Sequence, residues 1–229
     1  VEVRLVTLTN HGDRPLRLSL TSYGEVVLAH RATDARHPAF NKLFSESEPL
    51  PRGNGLLFRR RPRSESEEGI YLSHAVVVSP GESTVVQPRL ENDRGRFLGR
   101  GRTARHPAAL EIGAQPRTGP SLDPIFSISQ VVDLPPHGTL RLAFLTAAAH
   151  TAESCQSIIS RYSSLDAIEA ALEQARVLAE VELTELEISN AQLKDFQTLL
   201  SVLVFPSHAL RASPERLSDN QKGQPGLWP

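Results

Sequence analysis

Along the first part of the chain, apolar and polar residues alternate with a period of two, which is typical of half-buried strands. Two such runs, 3–8 and 16–21, flank the turn-forming residues 10–15, and this spacing predicts a β-hairpin. Further strands are predicted over residues 25–29, 55–61, 71–79, 83–90, 125–134 and 139–147, with a turn at 135–138. Several short strands with Pro and Gly between them predict an antiparallel sandwich over residues 1–150.

Beyond residue 150 the apolar residues recur with the period of a helix. Three helices are predicted: 152–162 after Thr151, a long helix to about 188 after Ser163 and Asp166, and a third that starts after Ser189 and Gln192 and ends at Pro206. The long helix carries one apolar stripe. The residues of this stripe are Leu165, Ile168, Leu172, Ala175, Ala179, Leu183 and Leu186.

Charge and composition narrow the classes of protein to consider. Residues 1–150 carry a net charge of +4 from 19 basic and 15 acidic side chains, whereas the whole chain has a net charge of −1. This balance gives no general electrostatic case for nucleic-acid binding. No apolar run approaches the length that spans a bilayer, so we expect no membrane insertion by this segment. Cys155 is alone, which excludes an intrachain disulfide, and the eight scattered His favour no metal site.

The segment 91–102 is the strongest candidate for chemistry, although no catalytic motif lies anywhere in the chain. Its Arg residues offer planar donor groups and its Phe offers a stacking face, so a loop of this kind could contact sugar hydroxyls or a phosphate. The candidate contact residues are Arg94, Arg96, Phe97, Arg100 and Arg102. The alternative is a surface loop whose Arg residues pair with Glu91 and Asp93.

A second segment, 37–44, has two aromatic residues at helical spacing inside a predicted loop, Phe40 and Phe44. We expect these rings to anchor a long connection to the core rather than to bind a ligand. We also expect the chain to be part of a longer protein, because it contains no Met and Val1 already has a strand pattern.

The motifs at 8–25, 37–40 and 96–102, taken in order, resemble the N-terminal half of the inverting glycoside phosphorylases of glycoside hydrolase family 94 (formerly glycosyltransferase family 36). Among these enzymes the likeness is greatest to the cyclic β-1,2-glucan synthases. Residues 220–229 resemble the family's entry into its catalytic (α/α)6 barrel. The resemblance implies a galactose-mutarotase-like antiparallel β-supersandwich over 1–150, linker helices over 151–206, and a loop over 207–229 that leads into the barrel.

The resemblance also implies a function for the chain. The general acid and the phosphate-binding residues of the family lie in the barrel, so no catalytic residue and no cofactor are expected here, and inorganic phosphate is a co-substrate of the parent enzyme. The expected partners are the chain's own catalytic barrel, contacted through Leu227 and Trp228, a β-glucan oligosaccharide, and a second copy in a homodimer. The parent is expected at the bacterial inner membrane, with this soluble segment on the cytoplasmic side.

Two other functions remain open at this stage. An autonomous carbohydrate-binding module would use several exposed aromatic rings, whereas this chain has 5% aromatic residues and one Trp. A pure dimerisation scaffold would need neither aromatic rings nor a ligand. The expected function is therefore a non-catalytic sandwich that supports the barrel, with these two as alternatives.

Overall fold

The alternating segments form two antiparallel sheets in the computed structural model of the chain, which describes residues 1–62, 69–79, 87–112, 118–204 and 212–219. Within these residues the strands are β1 (Glu2–Thr9), β2 (Leu16–Glu25), β3 (Ser45–Pro49), β4 (Gly55–Arg60), β5 (Tyr71–Val78), β6 (Arg89–Asp93), β7 (Pro124–Leu134) and β8 (Thr139–Ala149). A five-stranded sheet has the order β1-β8-β5-β4-β3, and a three-stranded sheet has the order β2-β7-β6. The predicted sandwich is confirmed.

The main core lies between the two sheets, because alternate residues of each strand point inward. Leu56 and Phe58 from β4 belong to the same buried cluster as Ile128 and Val132 from β7, and all four side chains are fully buried. Burying a side chain of this size contributes roughly 1.5–3 kcal/mol. The sandwich is therefore stabilised mainly by this layer of aliphatic and aromatic residues.

The predicted hairpin of residues 3–8 and 16–21 is wrong, because β1 and β2 belong to different sheets. Val3 pairs with Leu145 on β8, whereas Leu18 pairs with Val132 on β7. The turn between them crosses from one sheet to the other, and the Asn10 side chain stabilises the crossing by donating to carbonyl oxygens of both turns, at 10–15 and 135–138. Alternation predicts a strand, but it does not predict the partner of that strand.

Two other strand predictions need correction. Residues 25–29 do not form a separate strand, since β2 ends at Glu25 and the next residue, Val26, is buried with its N–H donating to the Pro124 carbonyl oxygen. In the predicted strand 83–90, residues 83–86 lie outside the described residues, and β6 begins only at Arg89.

A histidine crosses the core between the sheets. His74 on β5 is buried, with its Nε2 2.8 Å from the Ser22 hydroxyl on β2 and its Nδ1 2.9 Å from the Thr146 hydroxyl on β8. Its ring stacks on Phe126 at 4.1 Å, and Phe126 fits there because Gly24 has no Cβ. Burial lowers the pKa of His74 to about 3, with a smaller contribution from the charge of Arg4. The imidazole is therefore neutral at physiological pH.

Helices cover the outer face of the five-stranded sheet. Helix α5 (Ala152–Arg161) and the start of α6 (Leu165–Glu185) bury Cys155, Ile159, Leu165 and Ile168 against the outward-facing residues of β5 and β8. Thr151 accepts from the Ser154 N–H, which confirms the predicted N-cap. The predicted cap of α6 is wrong by one residue, because Ser164 rather than Ser163 accepts from the Ala167 N–H.

Among the described residues, four short helices interrupt the strand region. They are α1 (Arg31–Arg36), α2 (Pro38–Lys42), α3 (Arg94–Leu98) and α4 (Ala108–Ile112). Phe40 on α2 is 49% exposed and meets Phe44 edge to face at 5.2 Å, so the prediction that Phe40 anchors the connection in the core is wrong. The pattern of polar and apolar residues predicted none of these helices, because each is only one turn or slightly longer.

The chain divides into two compact units, Val1–Ala171 and Leu172–Pro229. The second unit contains the rest of α6, then α7 (Asn190–Val204) and α8 (Pro214–Ser218). Ser189 and Gln192 form the predicted capping box, in which each side chain accepts from the other's backbone N–H. Within this unit the predicted apolar stripe is exposed at Leu172 and Leu186. Pro206 and most of the predicted loop 207–229 lie outside the described residues.

Candidate functional site

The Arg-rich segment predicted as a loop is a corner in which β6 turns into α3. The Asp93 carboxylate accepts from the Arg96 N–H at 2.9 Å and caps the helix. The helix ends at Gly99, which has a φ of 78° and lies so close to Ala108 that a Cβ would be 2.7 Å from that side chain. Glycine is therefore required at this position by both conformation and space.

Phe97 cannot serve as an exposed stacking face in this arrangement. Its side chain is 2% exposed, and its ring stacks on Tyr23 at a centroid distance of 4.9 Å. Leu98, Ala109 and Ile125 complete this small core. The sequence-based hypothesis that Phe97 contacts a sugar is corrected here, because the helical turn directs Phe97 toward the sheet rather than toward solvent.

Arg94 takes part in a network of ion pairs at the end of the three-stranded sheet. Its Nε is 2.9 Å from a Glu25 carboxylate oxygen, and its Nη1 is 3.5 Å from Asp123. Asp123 also pairs with Lys42 at 2.5 Å, which links α2 to this corner. The Arg94 guanidinium is thus held by two carboxylates, although a part of it remains exposed. Such a group can still donate to a ligand, but its first partners belong to the protein.

Arg96 pairs with a buried carboxylate. Glu91 is almost completely buried on β6, and one of its oxygens accepts from the backbone N–H groups of Asn92 and Asp93. The other oxygen lies 3.4 Å from the Arg96 guanidinium. Burial raises the pKa of Glu91, while the two N–H donors and Arg96 act in the opposite direction. This pairing agrees with the alternative that Arg residues of the segment bind its own acidic residues.

Arg100 and Arg102 follow α3 on an exposed turn. The Arg102 guanidinium is 2.7 Å from Glu111 on α4, whereas Arg100 has no ion pair within the described part of the chain. Arg105, which the sequence analysis did not select, is exposed on the same stretch and likewise has no ion pair with a described residue. Of the five predicted contact residues, Arg100 is therefore the one most available to a ligand.

A cleft that the sequence did not predict lies along β3 and β4, beside Gly119 and Pro120. It has a volume of about 230 Å³ and is lined by Glu46, Glu48, Arg59, Gly119 and Pro120 among others. The Glu46 carboxylate is 2.8 Å from the Arg59 guanidinium. The spacing and type of these residues do not indicate that they are close together. Gly119 is far from β3 in sequence, and the two are brought into contact by the tertiary structure.

A hydrogen-bonded link joins the two sheets beside this cleft. Asn92 on β6 is fully buried, and its amide nitrogen donates to the Ser47 hydroxyl on β3 at 2.8 Å and to the Gly119 carbonyl oxygen at 2.6 Å. The Gly119 N–H in turn donates to the Ser47 carbonyl oxygen at 2.8 Å. This link, which we call the closed rim, fastens β3, β6 and the segment 118–123 together.

Some predictions concern features outside the sandwich. Leu227 and Trp228, the predicted barrel-docking residues, lie outside the described residues. In the described ranges no group of three or more His, Cys, Asp or Glu is arranged to hold a metal ion. Among the helices whose residues are described, none combines the length and the apolar composition needed to cross a membrane.

A known protein resembles this chain over its whole length, and a known domain family matches most of it. The family described as Glycosyl hydrolase 94, supersandwich domain, matches residues 1–165. The cyclic beta-(1,2)-glucan synthase NdvB of Rhizobium meliloti (strain 1021) is 34% identical to the chain over 230 residues. This match covers 100% of the chain but 8% of NdvB, so the chain spans a small part of the length of this curated relative.

Proposed function

The chain belongs to the glycosyl hydrolase 94 supersandwich family, as its sequence motifs predicted, and from this membership we propose that it is the non-catalytic sandwich of a β-1,2-glucan-synthesising enzyme. The observation that carries the proposal is the coincidence of two matches. The family match covers both sheets and helix α5, and the similarity to a glucan synthase continues through the helices to the last residue.

In this proposal the sandwich supports a helical catalytic barrel elsewhere in the parent protein. Several apolar side chains of α6 and α7 are exposed in the second unit, including Leu178, Leu199 and Leu203. Exposed apolar groups on a helix are typical of a surface that packs against another part of the protein. The parent enzyme would cleave or form glucosidic bonds with inorganic phosphate as co-substrate, at the cytoplasmic side of a bacterial inner membrane. These features of the parent rest on the family resemblance.

The proposal includes a contact between the exposed turn after α3 and the glucan. Arg100 supports it, because this guanidinium is exposed without a described ion partner and can donate to sugar hydroxyls or to phosphate. Arg102 and Arg94 have carboxylate partners, so their contribution is expected to be smaller. Phe97 has no direct part in this version of the proposal, because it is buried.

The test is a titration of the chain with linear β-1,2-glucan oligosaccharides, followed by calorimetry and by NMR shift perturbation. We expect saturable binding that Arg100→Gln weakens about tenfold, which corresponds to about 1.4 kcal/mol. Arg14→Gln is the matched control, since Arg14 is an exposed Arg on the turn between β1 and β2. Equal affinities of the two variants would overturn the assignment to Arg100.

The absence of binding at millimolar oligosaccharide would contradict glucan contact by the chain itself and favour a scaffold. The exposed apolar residues of α7 also suit a dimerisation scaffold, so sedimentation velocity over a range of concentrations should accompany the titration. A stable dimer without ligand affinity would favour that second function over the first.

A further inference from the structure

The cleft along β3 and β4 brings charged groups of both signs next to an apolar residue. Glu46 and Glu48 alternate on β3 and therefore share one face of the five-stranded sheet. In the register of β3 with β4, Glu46 lies opposite Arg59 and Glu48 lies opposite Leu57. Leu57 is almost completely buried and belongs to the apolar cluster that α5 covers. The cleft therefore opens on the outer face of this sheet, not toward the core between the sheets.

The polar groups of the cleft are held in place by contacts within the protein. The Glu46 carboxylate accepts from the Arg59 Nε at 3.0 Å and from its Nη2 at 2.8 Å, and it also lies 3.0 Å from the Arg61 Nε. These contacts use two of the five N–H donors of Arg59, whose side chain is 57% exposed. Glu48 is exposed and has no ion pair with a residue that the structure describes. Glu46 therefore positions Arg59, while Glu48 can accept from a ligand.

The wall of the cleft at Gly119 and Pro120 is fixed by the closed rim. The Gly119 carbonyl oxygen accepts from the buried Asn92 amide, and the Gly119 N–H donates to the Ser47 carbonyl oxygen. Gly119 has a φ of 104°, which favours glycine, and a Cβ at this position would lie in open space. The hydrogen bonds that join the two sheets therefore also place this wall of the cleft.

The donors and acceptors of the cleft favour one class of ligand. A carboxylate such as Glu48 accepts hydrogen bonds only, whereas a guanidinium such as that of Arg59 donates only. A ligand that contacts both must donate and accept at neighbouring positions, as hydroxyl groups on adjacent carbon atoms do. A phosphate would be repelled by the two carboxylates of the cleft, and an ammonium group could not accept from Arg59.

We propose that this cleft is a binding site for a neutral polyhydroxylated ligand, whose hydroxyl groups donate to Glu48 and accept from Arg59. Glu46 is a positioning residue for Arg59, and the C–H groups of the ligand pack beside Pro120. The cleft volume of about 230 Å³ is below the roughly 300–1,000 Å³ of pockets that hold drug-sized ligands. This volume suits a ligand as small as one hexose.

An NMR titration of the isotope-labelled 229-residue chain with D-glucose tests this proposal. We expect saturable shifts of the Glu48 and Gly119 amides, with a dissociation constant in the millimolar range that is usual for so small a ligand. Glu48→Ala should weaken binding about tenfold, because it removes a charged acceptor. Glu153→Ala is the matched control, since Glu153 is an exposed Glu on α5 that does not line the cleft. Both side chains are exposed, so both variants should fold.

Titrations with inorganic phosphate and with ethylammonium chloride test the class of ligand. We expect neither ion to cause saturable shifts of the Glu48 and Gly119 amides. Saturation by either ion without a response to glucose would overturn the proposed ligand class. The absence of any saturable response to glucose would overturn the site, and so would equal glucose affinities of Glu48→Ala and Glu153→Ala.

Arg100→Gln separates this site from the glucan contact proposed above. Arg100 does not line the cleft, so we expect this variant to bind glucose as tightly as the wild type does. Loss of glucose binding in Arg100→Gln would place the site at the turn after α3 and overturn the assignment to the cleft. If glucose binding depends on Glu48 while oligosaccharide binding does not depend on Arg100, the cleft is supported and the glucan contact at Arg100 fails.

Discussion

The two rims of the sandwich differ in how they close the space between the sheets. At the closed rim, Asn92, Ser47 and Gly119 connect the sheets by hydrogen bonds, and α3 covers the end of the three-stranded sheet with Phe97. On the opposite side, which we call the open rim, β1 and β2 are the outermost described strands of the two sheets, and Leu16 and Leu18 remain partly exposed. We therefore expect β6 and β2, the two edge strands of the three-stranded sheet, to contribute differently to stability, because β6 is covered at the closed rim and β2 is partly exposed at the open rim.

The largest expected effect is at Phe97, where α3 covers the end of the three-stranded sheet. Phe97→Ala should lower the free energy of unfolding by about 3–5 kcal/mol, because it removes a buried ring that packs on Tyr23 and leaves a cavity. Urea unfolding of the 229-residue chain measures this. Phe40→Ala is the matched control and should cost much less, since Phe40 is 49% exposed. Comparable losses in the two variants would contradict the burial of Phe97.

The hydrogen-bonded link of the closed rim should come next. Asn92→Ala should cost about 2–3 kcal/mol, because the buried Ser47 hydroxyl and Gly119 carbonyl oxygen lose a donor. Asn41→Ala is a useful control, since Asn41 is also buried but its amide has no hydrogen bond within the described chain. We expect that variant to cost less in the same unfolding assay. If the two Asn variants are equally unstable, the link is not a specific feature of this rim.

Acid should weaken the connection between β5 and the open-rim strand β2. His74 is neutral and buried, and its folded-state pKa of about 3 is below the ordinary value of 6.5. The unfolded chain therefore binds a proton first as the pH falls below 6.5, and the contribution of His74 to stability decreases by up to about 1.4 kcal/mol per pH unit down to about pH 3. Above pH 6.5 the protonation of His74 has no effect.

Comparing wild type with His74→Gln between pH 7 and pH 4 isolates this contribution, because carboxylates titrate equally in both proteins. We expect the difference in the free energy of unfolding between the two proteins to shrink as the pH falls. A difference that stays constant with pH would show that His74 is not held neutral against Ser22 and Thr146.

The smallest effect is expected at the open rim. Leu18→Ala should lower the free energy of unfolding of the 229-residue chain by less than about 1 kcal/mol, because a partly exposed side chain loses little burial. Leu56→Ala on β4, where the side chain is fully buried, should cost about 2–5 kcal/mol in the same denaturation experiment. A large cost at Leu18 would contradict its partial exposure at the open rim.

Local features of the chain were predicted well where they depend on neighbours in sequence. The alternation around residues 125–147 and the caps at Thr151 and Ser189 correspond to β7, β8, α5 and α7. The candidate site was predicted less well, because the Arg residues were found but, apart from Glu91, their partners were not. Glu25 and Asp123 are far from Arg94 in sequence and meet it only because β2, β6 and β7 end at one place.

By itself, the sequence determined most of the strands and the three long helices, the absence of an intrachain disulfide, and the family to which the chain belongs, since these depend on residue type and spacing. Only the tertiary structure decided that β1 and β2 lie in different sheets, that Phe97 is buried while Arg100 is exposed, and that one rim is closed and the other open. The physical reason is that pairing and burial are set by contacts between residues far apart in sequence, which no local pattern of polarity specifies.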